Sequence, residues 1–554
     1  MSEFPTMQER VLSLSGDTRV GLIGPRGEVT HAEVVARAAA RAAWMLSQRL
    51  DGPFHVATLL DVSDEYVYAL DAAALVGAAI VGGNSTHRGA DLARDLSHTD
   101  CQLLLTNEAL FPLVDGLSLG HAIGTVSRTN PRVIIVDSEA GQATFAAFDG
   151  TSPHDVADSS VTPATLAGLI FTSGTSGAPK AVKCSQGRLA MIGGIMGQMF
   201  GLGQDDVFYC SMPLFHSNAL MACYSPCRGV KGALALPSQG RFSASNFLPD
   251  VIASSATFFN YVGKPLAFIL ASPPSEDDRR HQLKLGFGNE ASADDRLRFV
   301  ERFGCPIVDG YGSTEGGLSV TRTPDTPSGA LGVAPEGTSV LDEDGKECPR
   351  AVFDADGKLL NGEEATGALV SPPNSSFEGY YKNPEADAAR MQGGRFHTGD
   401  LAYRDEAGFF YFAGRDFDWL RVDGENFASA PVEAILTRHP DVVVGAVFAV
   451  PDRVIGDAVM AALELRPGAV FDGAAFRAFL NAQADLGTKW APTYIRICAA
   501  LPITATTKVL KQSLRAEAWN TSDPVFFAPS RTDSYVPFES SHRDELNTAV
   551  GDRL

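Results

Sequence analysis

The sequence predicts an α/β protein with a large amino-terminal domain of doubly wound sheets and a small β-rich subdomain, followed by a small α+β carboxyl-terminal lid domain. Buried-strand segments alternate with helix-like segments over residues 1–150, which is typical of a parallel sheet covered by helices. Residues 329–375 are rich in Gly, Pro and Asp and therefore indicate hairpins. The chain has 554 residues, which suggests two or more domains and a large core.

The first alternating elements follow from hydrophobic periodicity and from capping residues. Ser63 precedes a helix-like segment, residues 64–76, whose apolar side chains recur on one face. Short apolar runs around this segment are typical of buried strands. We expect these strands at residues 55–60, 79–81, 101–105, 133–136 and 166–171, and a further helix near residues 90–97.

The overall charge and composition exclude several function classes. The net charge is -21 and the pI is near 4.9, so the basic surface that binding to nucleic acid or an anionic membrane requires is not expected. No secretory signal and no transmembrane segment is visible, and we expect a soluble, cytoplasmic protein. The eight cysteines lack zinc-ligand spacing and are interpreted as reduced, buried thiols.

A loop rich in Gly, Ser and Thr follows the strand at residues 166–171 and precedes a second strand at residues 181–184. Glycines let backbone N–H groups approach an anion, and hydroxyls and an ammonium supply further donors. A Walker A loop is excluded because Ala178 and Pro179 separate the last glycine from the lysine. We therefore predict a polyphosphate-binding loop that contains Thr172, Ser173, Gly174, Thr175, Ser176, Gly177 and Lys180.

A second motif lies at a predicted strand end, where ligands bind in open α/β sheets. Tyr311 offers a flat aromatic face for a nucleobase. Glu315 offers a hard oxygen ligand that suits Mg²⁺ carried by a triphosphate. The motif consists of Asp309, Gly310, Tyr311, Gly312, Ser313, Thr314 and Glu315.

Three polar residues in the second half of the chain complete the candidate set. Asp400 ends a Thr-Gly-Asp sequence, and an ionised carboxylate can accept hydrogen bonds from two hydroxyls at once. Arg415 follows a predicted strand at residues 409–413 and carries a permanent charge. Lys508 lies on a polar loop, where by itself it indicates only a solvated charge.

Five motifs, taken in their order along the chain, resemble the adenylate-forming superfamily. They are the phosphate loop, a His-containing stretch at residues 212–218, the Tyr311 motif, the Thr-Gly-Asp motif and the Lys508 loop. That superfamily contains acyl-CoA synthetases, peptide-synthetase adenylation domains and beetle luciferases. The resemblance covers residues 10–520.

Shorter stretches narrow the resemblance within the superfamily. Residues 261–263, 277–281 and 288–290 are most similar to the fatty-acid-transport-protein and very-long-chain branch of acyl-CoA synthetases. More narrowly, they resemble actinobacterial members that activate fatty acids or steroid side-chain acids.

The resemblance implies a two-step reaction that uses ATP, Mg²⁺ and coenzyme A. A carboxylate attacks the α-phosphate of ATP to give an acyl-adenylate and pyrophosphate, and coenzyme A then displaces AMP. The resemblance implies that Lys508, Glu315, Thr172 and His216 are catalytic, with Glu315 as the metal ligand. Further nucleotide- or coenzyme-binding residues that it implies are the rest of the phosphate loop, Gly288, Asn289, Glu290, the residues from Asp309 to Thr314, Asp400, Arg415, Arg421, Gly424, Glu425 and Asn426.

Several interpretations remain open at this point. His216 is either a core histidine or a group that lines an acyl pocket or thiol tunnel. The acyl pocket itself is expected around residues 215–220, 258–262 and 312–318. The acid is either a long-chain fatty acid or a steroid side-chain acid, and a homodimer is the default expectation for the assembly.

The resemblance also implies the domain limits. We expect a large domain over residues 1–415, a hinge over residues 416–421 and a lid over residues 422–522, with an irregular tail over residues 523–554. Residues 423–426 are interpreted as a turn that enters the site in the second step. Phe417 stands where many relatives place the pivoting Asp or Lys, and Asp418 follows it, so the pivot remains undecided between the two.

Three alternatives compete with an acyl-CoA ligase. An acyl-AMP ligase would deliver to a carrier protein, but no carrier-like domain follows residue 522. A non-catalytic fatty-acid-binding or transport protein would need membrane spans for translocation, and no run of about 18 apolar residues exists. A degenerate scaffold would have lost the motif residues, yet Thr172, Glu315, Asp400, Arg415 and Lys508 are all present.

Overall fold

The computed structural model describes most of the chain. The described residues are 4–172, 180–320, 322–323, 325–354, 359–374, 376–415, 419–422, 425–451, 457–483, 486–487, 489–504, 508–528, 530, 533–540, 542–543 and 546, with no side-chain description at 293, 415, 419, 421, 425, 426 and 428. The described residues form two largely parallel sheets whose strands interleave along the chain, followed by an antiparallel sheet and a smaller α+β unit, which confirms the predicted fold class.

The first sheet has six strands whose apolar runs are buried by helices. Every neighbouring pair is parallel except the last two strands in sequence, which are antiparallel. Those two strands flank the predicted phosphate loop. The spatial order is Lys180–Ser185, Leu166–Thr172, Ala79–Gly82, His55–Leu59, Cys101–Thr106 and Val133–Ile135.

The second sheet has seven strands, and only its amino-terminal edge pair is antiparallel. Because the other strands run in one direction, the segments that follow them meet at one edge of the sheet. The spatial order is Ile307–Asp309, Leu285–Asn289, Phe258–Val262, Val207–Tyr209, Ala233–Ala235, Val20–Gly24 and Gly27–Thr30.

The helix Asp64–Val76 is buried along its whole length between the sheet and neighbouring helices. It begins as predicted at Ser63, although the Ser63 side chain makes no capping hydrogen bond. The other large-domain helices are Met7–Leu12, His31–Ser47, Gly89–His98, Gly120–Ile123, Glu139–Ala146, Pro153–Val156, Gln186–Met199, Ser217–Ala219, Ser225–Val230, Ala244–Ala253, Pro265–Ala271, Ala293–Phe303, Gly362–Ala365 and Pro384–Arg390, with the 3-10 turn Phe111–Leu113 and the π-helix Leu220–Tyr224.

A buried ion pair fastens the helix Asp64–Val76 to the helix Ser225–Val230. Asp71 accepts a hydrogen bond of 2.9 Å from the Arg228 guanidinium, and both side chains are 0% exposed. The Tyr224 hydroxyl donates to the same carboxylate at 2.6 Å. An ion pair at this depth is expensive to break because it leaves an unpaired buried charge.

The third sheet, called here the hairpin sheet, is antiparallel and contains the predicted β-rich subdomain. It aligns Asp400 directly with Arg415 in neighbouring strands. Its strands in spatial order are Gly332–Val333, Phe409–Arg415, Arg395–Arg404, Gly367–Ser371 and Ser339–Leu341, and Met391–Gln392 also pairs with Arg395–Arg404. Two short pairs lie elsewhere, Tyr311–Gly312 with Ser319–Val320 and Ser118–Leu119 with Gly124–Thr125.

The lid unit is an α+β layer. Its helix Ser429–Leu436 starts two residues before the predicted start at Pro431. The predicted cap Asp472 accepts hydrogen bonds from the backbone N–H groups of Ala474 and Ala475. The sheet order is Val442–Pro451, Asp457–Leu465, Tyr494–Cys498, Val525–Phe527 and Val536–Pro537, the other helices are Gly473–Asn481 and Lys511–Glu517, and a hairpin joins Trp419–Val422 to Glu425–Ala428.

Two predictions for this region are wrong. The predicted irregular tail over residues 523–554 contributes the strand Val525–Phe527, which pairs with Tyr494–Cys498. Val525 is buried and Phe526 and Phe527 pack against the apolar clusters of the lid, but the strand is too short to show a period in the sequence. Within the predicted turn at residues 423–426, Glu425 and Asn426 belong to a strand paired with Trp419–Val422.

Within the part of the chain that the structure describes, no helix has both the length and the apolar character that a membrane crossing requires.

Candidate active site

The predicted nucleotide motifs meet at the carboxyl edge of the second sheet. The strand Leu285–Asn289 leads into Glu290, and its neighbour Ile307–Asp309 leads into Gly310. The Asn289 amide donates to the Gly310 carbonyl at 2.5 Å, and the Gly310 N–H donates to the Gly288 carbonyl at 2.8 Å. Two motifs whose bonded residues are 21 positions apart therefore form one surface.

Both carboxylate oxygens of Asp309 accept hydrogen bonds from within the protein, and these bonds fix the loop after Glu290. Asp309 accepts hydrogen bonds from the Tyr261 hydroxyl and, at 3.1 Å, from the backbone N–H of Ala291. Burial raises the pKa of Asp309 to about 6, and the bond from Tyr261 acts in the opposite direction. Its predicted role in nucleotide binding stays a prediction.

A chain of buried amides lies behind this edge, and sequence reasoning missed it. Asn260 donates to the Asn218 side-chain oxygen at 2.7 Å. Asn218 in turn donates to the Tyr261 carbonyl at 3.2 Å and to the Asn289 side-chain oxygen at 3.4 Å. Ser211 closes the chain, because its N–H donates to Asn260 at 3.0 Å. Satisfied buried networks of this kind fix their members in one arrangement.

The three stretches predicted to line the acyl pocket come together. Asn218, in residues 215–220, contacts the strand Phe258–Val262 through the Tyr261 carbonyl. Ser217 and Thr314 share a hydrogen bond of 2.8 Å between their hydroxyls. These contacts bring the three stretches together, and their lining of an acyl pocket stays a prediction.

His216 belongs to the stretch at residues 215–220 and lies close enough to Lys508 and Glu290 for their charges to act on it. Its ring nitrogen Nδ1 accepts from the Asn218 N–H at 3.3 Å. Removal from water lowers the pKa of His216 to about 3, the nearby Lys508 ammonium adds to this, and Glu290 acts in the opposite direction. The imidazole is therefore neutral near pH 7, and it lies beside charged groups rather than deep in an apolar core.

A small apolar cavity of about 20 Å³ lies behind residues 215–220. It has room for about one water molecule, so it does not hold an acyl chain in this arrangement. Its lining includes Tyr66, Leu70, Ile80, Phe215 and Leu220.

Tyr311 and Asp400 come from different sheets and meet directly. The Tyr311 hydroxyl donates to a carboxylate oxygen of Asp400 at 2.6 Å, and Asp400 is 4% exposed. The Thr398 hydroxyl accepts from the Asp400 N–H at 3.1 Å and steadies the turn. A carboxylate held in this way can also accept from the hydroxyls of a sugar.

Glu315 is a buried carboxylate with two donors. The Tyr380 hydroxyl donates to its Oε1 at 2.8 Å, and Arg390 approaches the same oxygen at 3.4 Å. Burial opposes ionisation, but the Arg390 charge and the Tyr380 hydroxyl outweigh it and hold the pKa of Glu315 below its ordinary value. An ionised carboxylate supplies the hard oxygen that Mg²⁺ prefers, so the residue fits a metal that the triphosphate also coordinates.

Arg188 connects the turn that carries Glu315 to the helix after the phosphate loop. Its guanidinium donates to the Thr314 carbonyl at 2.7 Å and to the Lys183 carbonyl at 3.2 Å. Gly316, the next residue of the turn, has φ 75°, and a Cβ there would lie 2.4 Å from Arg188 Nη2. Glycine is required here by both the backbone and the close approach.

The ends of the phosphate loop are brought together. Thr172 and Lys180 face each other in the antiparallel pair of the first sheet. Ser173, Gly174, Thr175, Ser176 and Gly177 lie outside the described residues, and the phosphate contacts remain a prediction.

The lid brings Lys508 to the same edge of the second sheet. Lys508 Nζ lies 2.6 Å from Glu290 Oε1. The hairpin residues Arg421 and Asn426 pair through their backbones. The side chains of Arg415, Arg421, Glu425 and Asn426, and the whole of Gly424, lie outside the description, so their predicted roles stay predictions.

The chain matches a known family in both of its parts. Residues 13–381 match the family described as AMP-binding enzyme, and residues 431–508 match the AMP-binding enzyme C-terminal domain. The solved structure of an anthranilate CoA ligase, AuaEII, has the same fold, with a TM-score of 0.79 at 21% identity over 93% of this chain and 97% of that chain.

Similar relatives match nearly end to end. A steroid-22-oyl-CoA synthetase of Rhodococcus jostii is 47% identical over 95% of this chain and 93% of its own length. A medium/long-chain-fatty-acid–CoA ligase of Mycobacterium marinum, FadD17, is 45% identical over 95% of this chain and 99% of its own length. The resemblance drawn from the motifs is confirmed, and the chain belongs to the AMP-binding enzyme family.

Proposed function

We propose that the chain is an ATP-dependent acyl-CoA ligase that activates a long-chain fatty acid or a steroid side-chain carboxylate through an acyl-adenylate. The observation that carries the proposal is the meeting of Tyr311, Asp400, Glu290 and Lys508 around one edge of the second sheet. Relatives that are 45% and 47% identical carry the names of ligases for those two acid classes, which supports the choice of substrate.

The first half-reaction needs charge compensation and no proton transfer. A carboxylate oxygen bonds to the α-phosphorus as the bond from phosphorus to the pyrophosphate oxygen breaks. Negative charge shifts onto the leaving oxygens, so fixed cations lower the barrier. Lys508, Lys180 and the hydroxyl of Thr172 would offset that charge. Mg²⁺ supplies further charge neutralisation when it is bound to the triphosphate, and the ionised Glu315 would hold it.

The second half-reaction replaces AMP by a thiol. The sulfur of coenzyme A bonds to the acyl carbon, the bond from that carbon to the AMP oxygen breaks, and the thiol proton passes to solvent. A free thiol has a pKa of about 8.5, so a useful fraction is already ionised near neutral pH. The neutral His216 would line the path without having to act as a base.

Between the two steps the lid must change position. We propose rotation about residues 416–421, of which 416–418 lie outside the described part of the chain. Such movements commonly separate two chemical steps. The rotation would withdraw Lys508 and bring the strand that begins at Glu425 towards the acyl-adenylate.

We also propose that the enzyme is cytoplasmic and works as a homodimer. All eight cysteines are buried free thiols, as is usual in a reducing compartment. Two-fold dimers are the commonest assembly of soluble enzymes.

The test is AMP release by the purified protein with ATP, Mg²⁺ and coenzyme A over a panel of fatty acids from C2 to C24 and steroid side-chain acids. We expect release that requires both coenzyme A and one of the two acid classes. Acid-dependent pyrophosphate exchange without turnover of coenzyme A would instead indicate transfer to a carrier protein. Nucleotide binding without reaction of any acid would contradict the proposal.

A further inference from the structure

An ion pair between two of the predicted motifs joins the lid to the large domain at the site itself. Lys508 Nζ and Glu290 Oε1 are 2.6 Å apart, and 218 residues separate the two positions along the chain. The side chains are 33% and 44% exposed, so water reaches both partners. The contact is therefore short, but water can replace either partner when the lid moves away.

Glu290 is held in place through hydrogen bonds of its two neighbours in the chain. Its φ is 68°, in the left-handed region that non-glycine residues seldom adopt. The preceding Asn289 is bonded to Gly310, and the following Ala291 donates its N–H to Asp309 at 3.1 Å. Non-glycine residues in such conformations cluster at functional sites, where the surrounding structure holds them.

Lys508, by contrast, reaches the site on a flexible stem from a loop. An ammonium on a four-carbon chain has three donors and little intrinsic orientation. One donor faces Glu290, which leaves the others for a substrate carboxylate and a phosphate oxygen. A fixed carboxylate therefore supplies the orientation that the lysine lacks.

We propose that Glu290 is a positioning residue that holds the Lys508 ammonium for adenylate formation and releases it for thioester formation. The inference rests on the proposed function, because it assigns a task in each half-reaction. A partly exposed ion pair is a weak interaction, so it biases the lid without locking it. The same pair therefore suits a contact that must break in every turnover.

The test uses the full-length protein and the substitution Glu290→Gln, which keeps the size of the side chain and removes its charge. The control is Glu276→Gln, at an exposed glutamate outside the site. We expect acid-dependent pyrophosphate exchange to fall up to about fivefold in Glu290→Gln through kcat, with little change in the KM for ATP. Thioester formation from supplied acyl-adenylate and coenzyme A should be unchanged or faster. Both rates should stay at the wild-type level in the control.

Two kinetic outcomes would overturn the assignment. Exchange at the wild-type rate in Glu290→Gln would show that the carboxylate does not position the lysine. An equal loss in both half-reactions would show a structural role for the loop. The variant Glu290→Gly separates these readings, because glycine accepts the backbone conformation without strain. We expect it to lose exchange like Glu290→Gln.

A second measurement does not depend on catalysis. Limited acetylation with acetic anhydride, followed by mass spectrometry of the Lys508 peptide, reports how available the amine is. We expect labelling several-fold faster in Glu290→Gln than in the wild type or in Glu276→Gln. Equal labelling would overturn the ion-pair assignment. Faster labelling in a protein that activates no acid would instead uphold the contact and reject the proposed function.

Discussion

Replacing Gly316 by alanine tests the turn that carries Glu315. The substitution adds a Cβ at a residue with φ 75°, and that atom would lie 2.4 Å from the guanidinium nitrogen Nη2 of Arg188. Arg188 is 4% exposed and donates to the Thr314 carbonyl at 2.7 Å. The side chain has little room to retreat, so the added atom must displace either the guanidinium or the turn.

The expected cost has two parts. An L-residue in the left-handed region costs roughly 1–2 kcal/mol. Loss of a buried hydrogen bond from a charged group adds about 1.5–3 kcal/mol. Gly316→Ala should therefore lower the free energy of unfolding by about 2.5–5 kcal/mol. A matched control is Gly329→Ala, since Gly329 has φ 82° but no atom lies within 4 Å of the Cβ position. Gly329→Ala should show only the backbone cost of roughly 1–2 kcal/mol.

The assay is urea unfolding of both variants beside the wild type, with acid-dependent pyrophosphate exchange measured on the same preparations. We expect Gly316→Ala to be about 2 kcal/mol less stable than Gly329→Ala, which corresponds to the lost Arg188 bond. Exchange should fall in Gly316→Ala because Glu315 moves with the turn. Equal destabilisation in the two variants would refute the reasoning, because it would leave the close approach of Arg188 without effect.

Four further predictions follow from contacts at the site and in the core. Tyr311→Phe keeps the ring and removes a hydroxyl that bonds to a buried carboxylate. The affinity for ATP, measured by calorimetry, should therefore fall about tenfold, or about 1.4 kcal/mol. The control Tyr381→Phe loses a similar bond of 2.7 Å to another aspartate and should bind ATP normally. Lys508→Ala should reduce pyrophosphate exchange by about 100-fold or more, because removing one donor from a developing charge slows a reaction by roughly that factor. Thioester formation from supplied acyl-adenylate should be spared. An equal loss of both steps would contradict the role of Lys508. Arg228→Met leaves the fully buried Asp71 carboxylate without its counter-charge and should cost about 3–5 kcal/mol in urea unfolding, and a loss below about 1 kcal/mol would contradict the buried pair. Because the pKa of His216 is lowered to about 3, the folded state binds this proton less readily than the unfolded state, so the residue reduces stability as pH falls below about 6.5. His216→Gln should remove that part of the acid sensitivity and leave the shape of the pH–rate profile from about pH 5 to 8 unchanged, and a lost inflection near pH 6.5 would refute the assignment.

Much of the fold was predictable because its signals are local. The helix Asp64–Val76 has the predicted limits, and the Asp472 cap forms as expected. The helix limits and the cap both depend on residues that lie within one or two helical turns of each other in the sequence. The tail strand Val525–Phe527 was missed because three residues show no period, and its pairing with Tyr494–Cys498 and Val536–Pro537 is decided by tertiary packing.

The site was predictable only in part. The family resemblance implied that Tyr311 and Asp400 share one nucleotide site, and the structure brings them into contact. Nothing in the sequence indicated that Arg390 would face Glu315, because 75 residues separate them. Charged residues on polar segments look alike until the fold selects their neighbours, and the same limit hid the pairing of Glu290 with the lid.

The amide chain behind the site has a thermodynamic consequence. Asn218 belongs to the stretch predicted to line the acyl pocket, and Asn289 belongs to the predicted nucleotide loop. A ligand that shifts one of these amides changes the free energy of placing the other. Coupling of this kind is reciprocal, so any factor by which the carboxylic acid tightens ATP binding is the factor by which ATP tightens binding of the acid.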